Sequence, residues 1–176
     1  MLENVAENTE KAIYSETDKA WIDAKEEATG WSWIDGGKKF IWLSQKDGWR
    51  HIYAIGLDGK EQLLTPGNYD VIELNSVDEK SKTVYFMASP DNAKQSYLYS
   101  VPLNGGKATK LSPVNESGSH NYDISPNGKL AFHNYSSATV FPINDVVSLP
   151  SHKLLSGGEV NPRAKTMKIP KVEFFK

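Results

Sequence analysis

The chain has 176 residues, 39% of them hydrophobic and 11% aromatic, a composition that buries a core and excludes an intrinsically disordered segment. A formal net charge of −2 and an isoelectric point near 6.1 supply no broad attraction for nucleic acid or anionic membrane, so neither is expected as a partner. Cysteine is absent, which removes disulfides, thiol catalysis and cysteine metal sites while leaving the compartment open; no apolar run reaches the ~18–20 residues of a membrane span, and Met1 to Asn8 has neither the basic nor the apolar region of a signal peptide.

In chain order, Lys11-Ala12-Ile13-Tyr14-Ser15 reads as an outer strand and Lys19-Ala20-Trp21-Ile22-Asp23 follows it, so the sequence opens partway through a repeat. The first complete unit, near 30–66, contains Gly30-Trp31-Ser32-Trp33-Ile34, Lys38 to Ser44, His51-Ile52-Tyr53-Ala54-Ile55 and Glu61-Gln62-Leu63-Leu64-Thr65. These runs carry the β-branched and aromatic residues that fit a pleated, half-buried surface. The second unit, near 70–113, has Val71 to Val77, Lys82 to Ser89, Ser96 to Val101 and Ala108-Thr109-Lys110-Leu111-Ser112. The third, near 119–157, has His120 to Ile124, Lys129 to Tyr135, Thr139-Val140-Phe141 and His152-Lys153-Leu154-Leu155.

The register between units is regular. Ser44, Ser89 and Ser136 are 45 and 47 residues apart, and Leu64, Leu111 and Leu155 are 47 and 44 apart. Asp35-Gly36-Gly37, Asp58-Gly59, Asn104-Gly105-Gly106 and Asn127-Gly128 supply turns between antiparallel strands. A four-strand unit recurring at this spacing predicts an all-β fold, a partial β-propeller of about three four-stranded antiparallel blades with negligible α-helix. A two-sheet sandwich also uses short strands and Gly-rich turns, but has no reason to repeat every four strands. The propeller is assigned to 1–160. Residues 161–176 are assigned to a linker and the strand Ile169-Pro170-Lys171-Val172-Glu173-Phe174-Phe175, leading to a domain that the chain lacks.

Catalytic signatures are missing: there is no Gly-x-Ser-x-Gly elbow, His-Glu-x-x-His helix, phosphate loop or EF-hand loop. Gly105-Gly106-Lys107-Ala108-Thr109 lacks the phosphate-loop spacing and reads as a hairpin turn. His51, His120, His133 and His152 occupy equivalent positions in no two units, so structural or surface roles are expected for them, with His51 anchoring blade packing through hydrogen bonds. Ser117-Gly118-Ser119-His120 is read as a solvated turn. Glu26-Glu27 could hold a peptide's ammonium by charge-assisted hydrogen bonds, but a solvated loop is the favoured reading. Asn115-Glu116-Ser117 and Asn134-Tyr135-Ser136 match the glycosylation sequon, a pattern frequent by chance. No catalytic, cofactor-binding or metal-binding residue is assigned, and no cofactor is expected. Trp49, after the Asp47-Gly48 turn, is expected to pack between sheets.

Several stretches carry a resemblance in order: Glu16 to Asp23, Asp47-Gly48-Trp49-Arg50-His51-Ile52-Tyr53, Leu64-Thr65-Pro66-Gly67-Asn68-Tyr69-Asp70-Val71, Val84 to Ser89, Tyr97-Leu98-Tyr99, Leu103-Asn104-Gly105-Gly106, Asp123 to Lys129 and Lys168 to Phe175. Together they resemble the C-terminal part of the N-terminal propeller of dipeptidyl-peptidase IV-like serine peptidases, in the prolyl oligopeptidase clan. The resemblance implies a parent with a following α/β-hydrolase domain that carries a Ser-Asp-His triad. That parent would remove dipeptides or tripeptides from peptides with proline or alanine near the N-terminus. The family's acidic pair sits before an earlier blade than Glu26-Glu27, so no residue is carried over. The chain itself is then expected to be inert. Its role in the parent would be to gate and position peptide substrates beside the hydrolase domain, in the periplasm or outside the cell. A non-enzymatic propeller that binds protein or glycan is the alternative. Cut blade faces are expected to drive dimerisation or aggregation.

Overall fold

The computed structural model describes residues 2–4, 7–19, 22, 31–159, 161–168 and 172. A two-stranded ribbon, β1 (Leu2–Asn4) with β2 (Thr9–Lys11), precedes three four-stranded antiparallel sheets. The first sheet contains β3 (Trp31–Ile34), β4 (Lys39–Ser44), β5 (His51–Gly56) and β6 (Glu61–Leu63). The second contains β7 (Val71–Asp78), β8 (Thr83–Ala88), β9 (Tyr97–Pro102) and β10 (Thr109–Lys110). The third contains β11 (Ser119–Ile124), β12 (Leu130–Ser137), β13 (Val140–Ser148) and β14 (Lys153–Gly157). Each strand pairs only with its neighbours in sequence, the up-and-down order of propeller blades. Helical structure among the described residues is confined to two 3-10 turns, Asp35–Gly37 and Ala164–Thr166.

Alternation along the strands explains how the sheets stack, because successive side chains point to opposite faces. On β8, Val84, Phe86 and Ala88 join Ile41, Ile52, Ala54 and Leu64 in a core between the first and second sheets. The intervening Tyr85 and Met87 face the other way and pack with Leu98, Tyr122, Ala131 and Val147 between the second and third sheets. The far face of the first sheet presents Phe40, Tyr53 and Ile55, which Ile13 and Tyr14 cover. With both faces occupied, β5 is buried along its whole length, so it reads as a near-continuous apolar run. On β12 only one face is covered: Ala131, His133 and Tyr135 are buried, while Phe132 remains 68% exposed.

A hydroxyl recurs at the end of the outer strand in two units. The Ile52 N–H donates to Thr65 Oγ1 at 2.9 Å, and the Leu98 N–H donates to Ser112 Oγ at 2.8 Å. Both hydroxyls are buried, so each satisfies a backbone donor that water cannot reach.

The structure corrects three expectations. Lys11 to Ser15 is not an outer strand: the strand pairing lies earlier, at Thr9–Lys11, and Ile13 and Tyr14 act as cover for the first sheet. The third strand of the last unit is much longer than Thr139 to Phe141, running Val140–Ser148 across Pro142. Pro142 lies where the β12–β13 register shifts, the kind of irregularity that tolerates a residue without an N–H. Trp49 is 39% exposed because the Asp47-Gly48 turn holds it in the loop before β5 begins at His51. Trp49→Ala should therefore cost under ~1 kcal/mol, against ~3–5 for a buried aromatic, and a urea denaturation series will read the difference. Residues 20–21, 169–171 and 173–176, on which further strand expectations rested, lie outside the described residues.

Candidate functional site

The inner face of the third sheet carries an alternation of imidazole and phenol. His120 and Tyr122 share one face of β11, and His133 and Tyr135 share the facing side of β12. In the β11–β12 register His120 stands opposite Tyr135, and Tyr122 stands opposite His133. One strand further out, His133 is opposite Asp145. The rings stack, with centroids 4.5 Å apart for Tyr122 and His133 and 4.8 Å for His120 and Tyr135. His152, from the turn before β14, meets the His133 ring edge-on at 4.8 Å.

Two hydrogen-bond chains thread this stack. In one, Ser112 Oγ contacts the Tyr122 hydroxyl at 2.9 Å, which in turn contacts His152 Nε2 at 2.8 Å. This chain ties the second sheet's outer strand to the third sheet. In the other, His133 Nδ1 lies 2.9 Å from Asp145 Oδ1, His133 Nε2 lies 2.8 Å from His120 Nδ1, and His120 Nε2 lies 2.8 Å from the Glu116 carbonyl oxygen. The second chain runs from β13 across β12 and β11 to the crossover that links the second and third sheets. A backbone bond from the His120 N–H to the Ser96 carbonyl, 3.0 Å, anchors the same corner to the second sheet.

Glu116, His120 and His133 bring three ligand-type atoms within 4.8 Å of one another. Their geometry nonetheless does not suit a cation between the rings. The ring planes differ by 13° and the centroids are 5.1 Å apart, so the two facing nitrogens lie nearly on the line joining the ring centres. A zinc ion on that line needs about 2.0–2.1 Å to each nitrogen, roughly 4 Å in total, whereas they are 2.8 Å apart. A tetrahedral site needs the lone pairs to converge at an angle, and these are opposed.

Burial pushes the imidazolium form of His120 down, to a pKa of about 4, and the neighbouring His133, His152 and Lys110 add to the effect against the Glu116 carbonyl. Burial also lowers His133, with Asp145 pulling the other way. The sign follows from which state binds protons more readily. Unfolded His120 titrates near its ordinary 6.5, so its contribution is complete above that pH and is lost as the pH falls towards about 4. Stability should fall as the pH drops through this interval. Urea midpoints measured between pH 7 and 4 check this, and His120→Gln should flatten the slope.

A second polar cluster binds the N-terminal segment to the first sheet. Glu16 accepts hydrogen bonds from Trp42 Nε1 at 2.8 Å, Ser44 Oγ at 2.5 Å and the Tyr14 hydroxyl at 3.1 Å. Burial, with Glu16 beside it, pushes Tyr14 up to about 12. Lys46 lies 4.0 Å from the centre of the Tyr53 ring and pairs with Glu61. With three donors on one carboxylate, this cluster is a fastening.

His51 is buried and contacts Asp47 Oδ2 through Nδ1 at 2.8 Å, a hydrogen bond within its own unit rather than one between sheets. Ser117 to His120 is not a solvated turn: Gly118 and His120 are buried, and the Tyr135 hydroxyl donates to the Ser117 carbonyl at 3.2 Å. Three of the four histidines thus converge, which comparing positions between repeats did not reveal. Gly105 and Gly106 lie in the turn between β9 and β10. Glu26 and Glu27 lie outside the described residues.

Residues 2–142 match the family described as the dipeptidyl peptidase IV (DPP IV) N-terminal region. Dipeptidyl peptidase 4 of Trichophyton equinum is 28% identical over 177 residues, covering 96% of this chain and 23% of that protein. Dipeptidyl peptidase 4 of Arthroderma otae is 27% identical over 161 residues, covering 88% of this chain and 21% of its own length. The chain therefore spans under a quarter of these relatives. Among solved structures, Porphyromonas gingivalis dipeptidyl peptidase 4 superposes with a TM-score of 0.67 at 30% identity, covering 77% of this chain and 19% of that one. A dipeptidyl aminopeptidase IV homologue from Bacteroides ovatus, with a TM-score of 0.57 at 22% identity over 69% of this chain and 20% of its own, shares the fold.

Proposed function

Because this chain belongs to the dipeptidyl peptidase IV N-terminal-region family, we propose that it is the non-catalytic propeller portion of a serine exopeptidase that removes N-terminal dipeptides or tripeptides. The observation that carries the reading is the row of three stacked four-stranded sheets, matched in order and in sequence to that family over most of the chain. In such an enzyme the propeller would gate and position peptides for a C-terminal α/β-hydrolase domain, favouring unfolded N-termini by excluding bulkier substrates. A periplasmic or extracellular setting belongs to the same proposal.

The purified 176-residue chain should neither cleave Gly-Pro or Ala-Ala chromogenic substrates nor react with a serine-directed fluorophosphonate. A longer product of the same reading frame that includes a hydrolase domain should do both. Turnover by the short chain that vanishes on mutating one of its own serines would overturn the proposal.

Self-association is part of the reading. The first sheet leaves Trp31 and Trp33 partly exposed, and the third leaves Leu130, Phe132, Leu154 and Leu155 exposed. Paired apolar faces of this kind favour dimers. Sedimentation over a concentration series should show association, and a compact monomer at high concentration would count against it.

A further inference from the structure

The chain from Asp145 to the Glu116 carbonyl contains three contacts of 2.8–2.9 Å between atoms that can all be acceptors. Each contact needs one proton. With Asp145 ionised, two neutral imidazoles bring only two, one per ring. Placing them on His133 Nδ1 and His120 Nε2 leaves two lone pairs facing each other between the rings. Moving the His120 proton to Nδ1 sets its bare Nε2 against the Glu116 carbonyl. Moving the His133 proton to Nε2 sets its bare Nδ1 against the Asp145 carboxylate. Every neutral arrangement thus contains at least one acceptor–acceptor contact, and only a third proton satisfies all three.

We propose that the His120–His133 pair takes up one shared extra proton as the pH falls and that this proton latches the crossover between the second and third sheets onto the third sheet, making the latch sensitive to pH. Asp145 on β13 balances the charge directly. The carboxylate of Glu116 adds a second negative charge nearby, while His152 after β13 and Lys110 on β10 oppose protonation. The rings of Tyr122 on β11, Tyr135 on β12 and Tyr97 on β9 complete the surroundings. Loss of the shared proton restores an acceptor–acceptor contact, and the link to Glu116 is the easiest to open because the crossover carries it.

The consequence reaches a polar cleft of about 460 Å³, whose walls include Ser117 from the crossover, Ser119 at the start of β11, Asn92 and Gln95 from the β8–β9 loop, Ser136 from β12 and Thr139 from the β12–β13 turn. The latch holds the crossover wall in place. As the proton leaves, that wall should loosen while the three sheets stay folded, which separates this device from the global loss of stability in acid.

The test is a pH titration of the full 176-residue chain labelled with 15N at histidine, read by long-range 1H–15N correlation spectra between pH 8 and 4. His120 and His133 should pass together through a state with three ring-bound protons between them, and the protection of the Ser117 to His120 amides, taken as exchange relative to the intrinsic rate at each pH and read by hydrogen-exchange mass spectrometry, should rise over the same step. Asp145→Asn should move that step to lower pH by about 1–3 units, because it removes the opposite charge. Rings that gain their protons independently, or amide protection at the crossover that ignores the step, would overturn the latch. So would a folded Asp145→Asn variant whose step does not move. The wild-type titration decides the question even if that variant fails to fold.

Discussion

Replacing Phe86 with alanine should lower the unfolding free energy by ~3–5 kcal/mol, the usual range for truncating a large buried aromatic. Phe86 is completely buried near the middle of β8, on the face that the second sheet presses against the first. Its ring stacks on Tyr99 with centroids 5.8 Å apart, and the chains of Ile41, Ile52 and Leu64 fill the same core. Removing it leaves a cavity walled by two sheets, neither of which can move inward without breaking its own ladder. The matching control is Phe132→Ala on the exposed face of β12, which should change stability by no more than about 0.5 kcal/mol. Urea denaturation of both variants, with m-values compared, checks the pair. A loss at Phe86 of less than 1 kcal/mol would mean that the first two sheets are not packed as described.

Gly118→Val should cost about 3 kcal/mol, at the upper end of the usual penalty for overpacking. A side chain here would run into the backbone carbonyl of Ser136, and its first carbon would lie 2.8 Å from the Tyr135 ring and 3.0 Å from Ser137 Cβ. Gly118 is needed because the crossover passes close over β12. Its carbonyl also accepts the Ser96 N–H at 3.2 Å, so moving it disturbs the joint between the second and third sheets. Thermal melting measures the loss, and the histidine ring signals should shift in the same variant. A variant with the wild-type melting temperature would show that the crossover is free to rise from the sheet.

Much of this architecture is legible in the residues, for reasons that differ between elements. The first two units are easy because their central strands are buried on both faces, so apolar residues run without a break between turn dipeptides. The third unit has only one covered face, and its long third strand contains Pro142, Asn144 and Asp145, which dilute the apolar signal past recognition. Trp49 stays outside the sheet, and a large aromatic next to a turn carries no information about which side of the turn enters the sheet. The histidine cluster depends on register. Laying the strands on either side of Asn127-Gly128 against each other puts Tyr122 opposite His133 and His120 opposite Tyr135, whereas comparing one repeat with the next never brings those residues together. Asp145 could not be added by that route, since its strand was placed too short.

The sequence-neighbour pairing of every strand makes the molecule behave like a short row of coupled switches, each flipping as a unit and each feeling only the next. A lesion in one sheet leaves the strand ladders of the others in place and reaches them through the shared side-chain layers and the few hydrogen bonds that cross between sheets, such as Ser112 to Tyr122 and His120 to Ser96. Disorder should therefore enter at the third sheet, which has one such layer instead of two. In hydrogen exchange, β13 and β14 should give up their protons first, and β8, clasped from both sides, should be the last to let go.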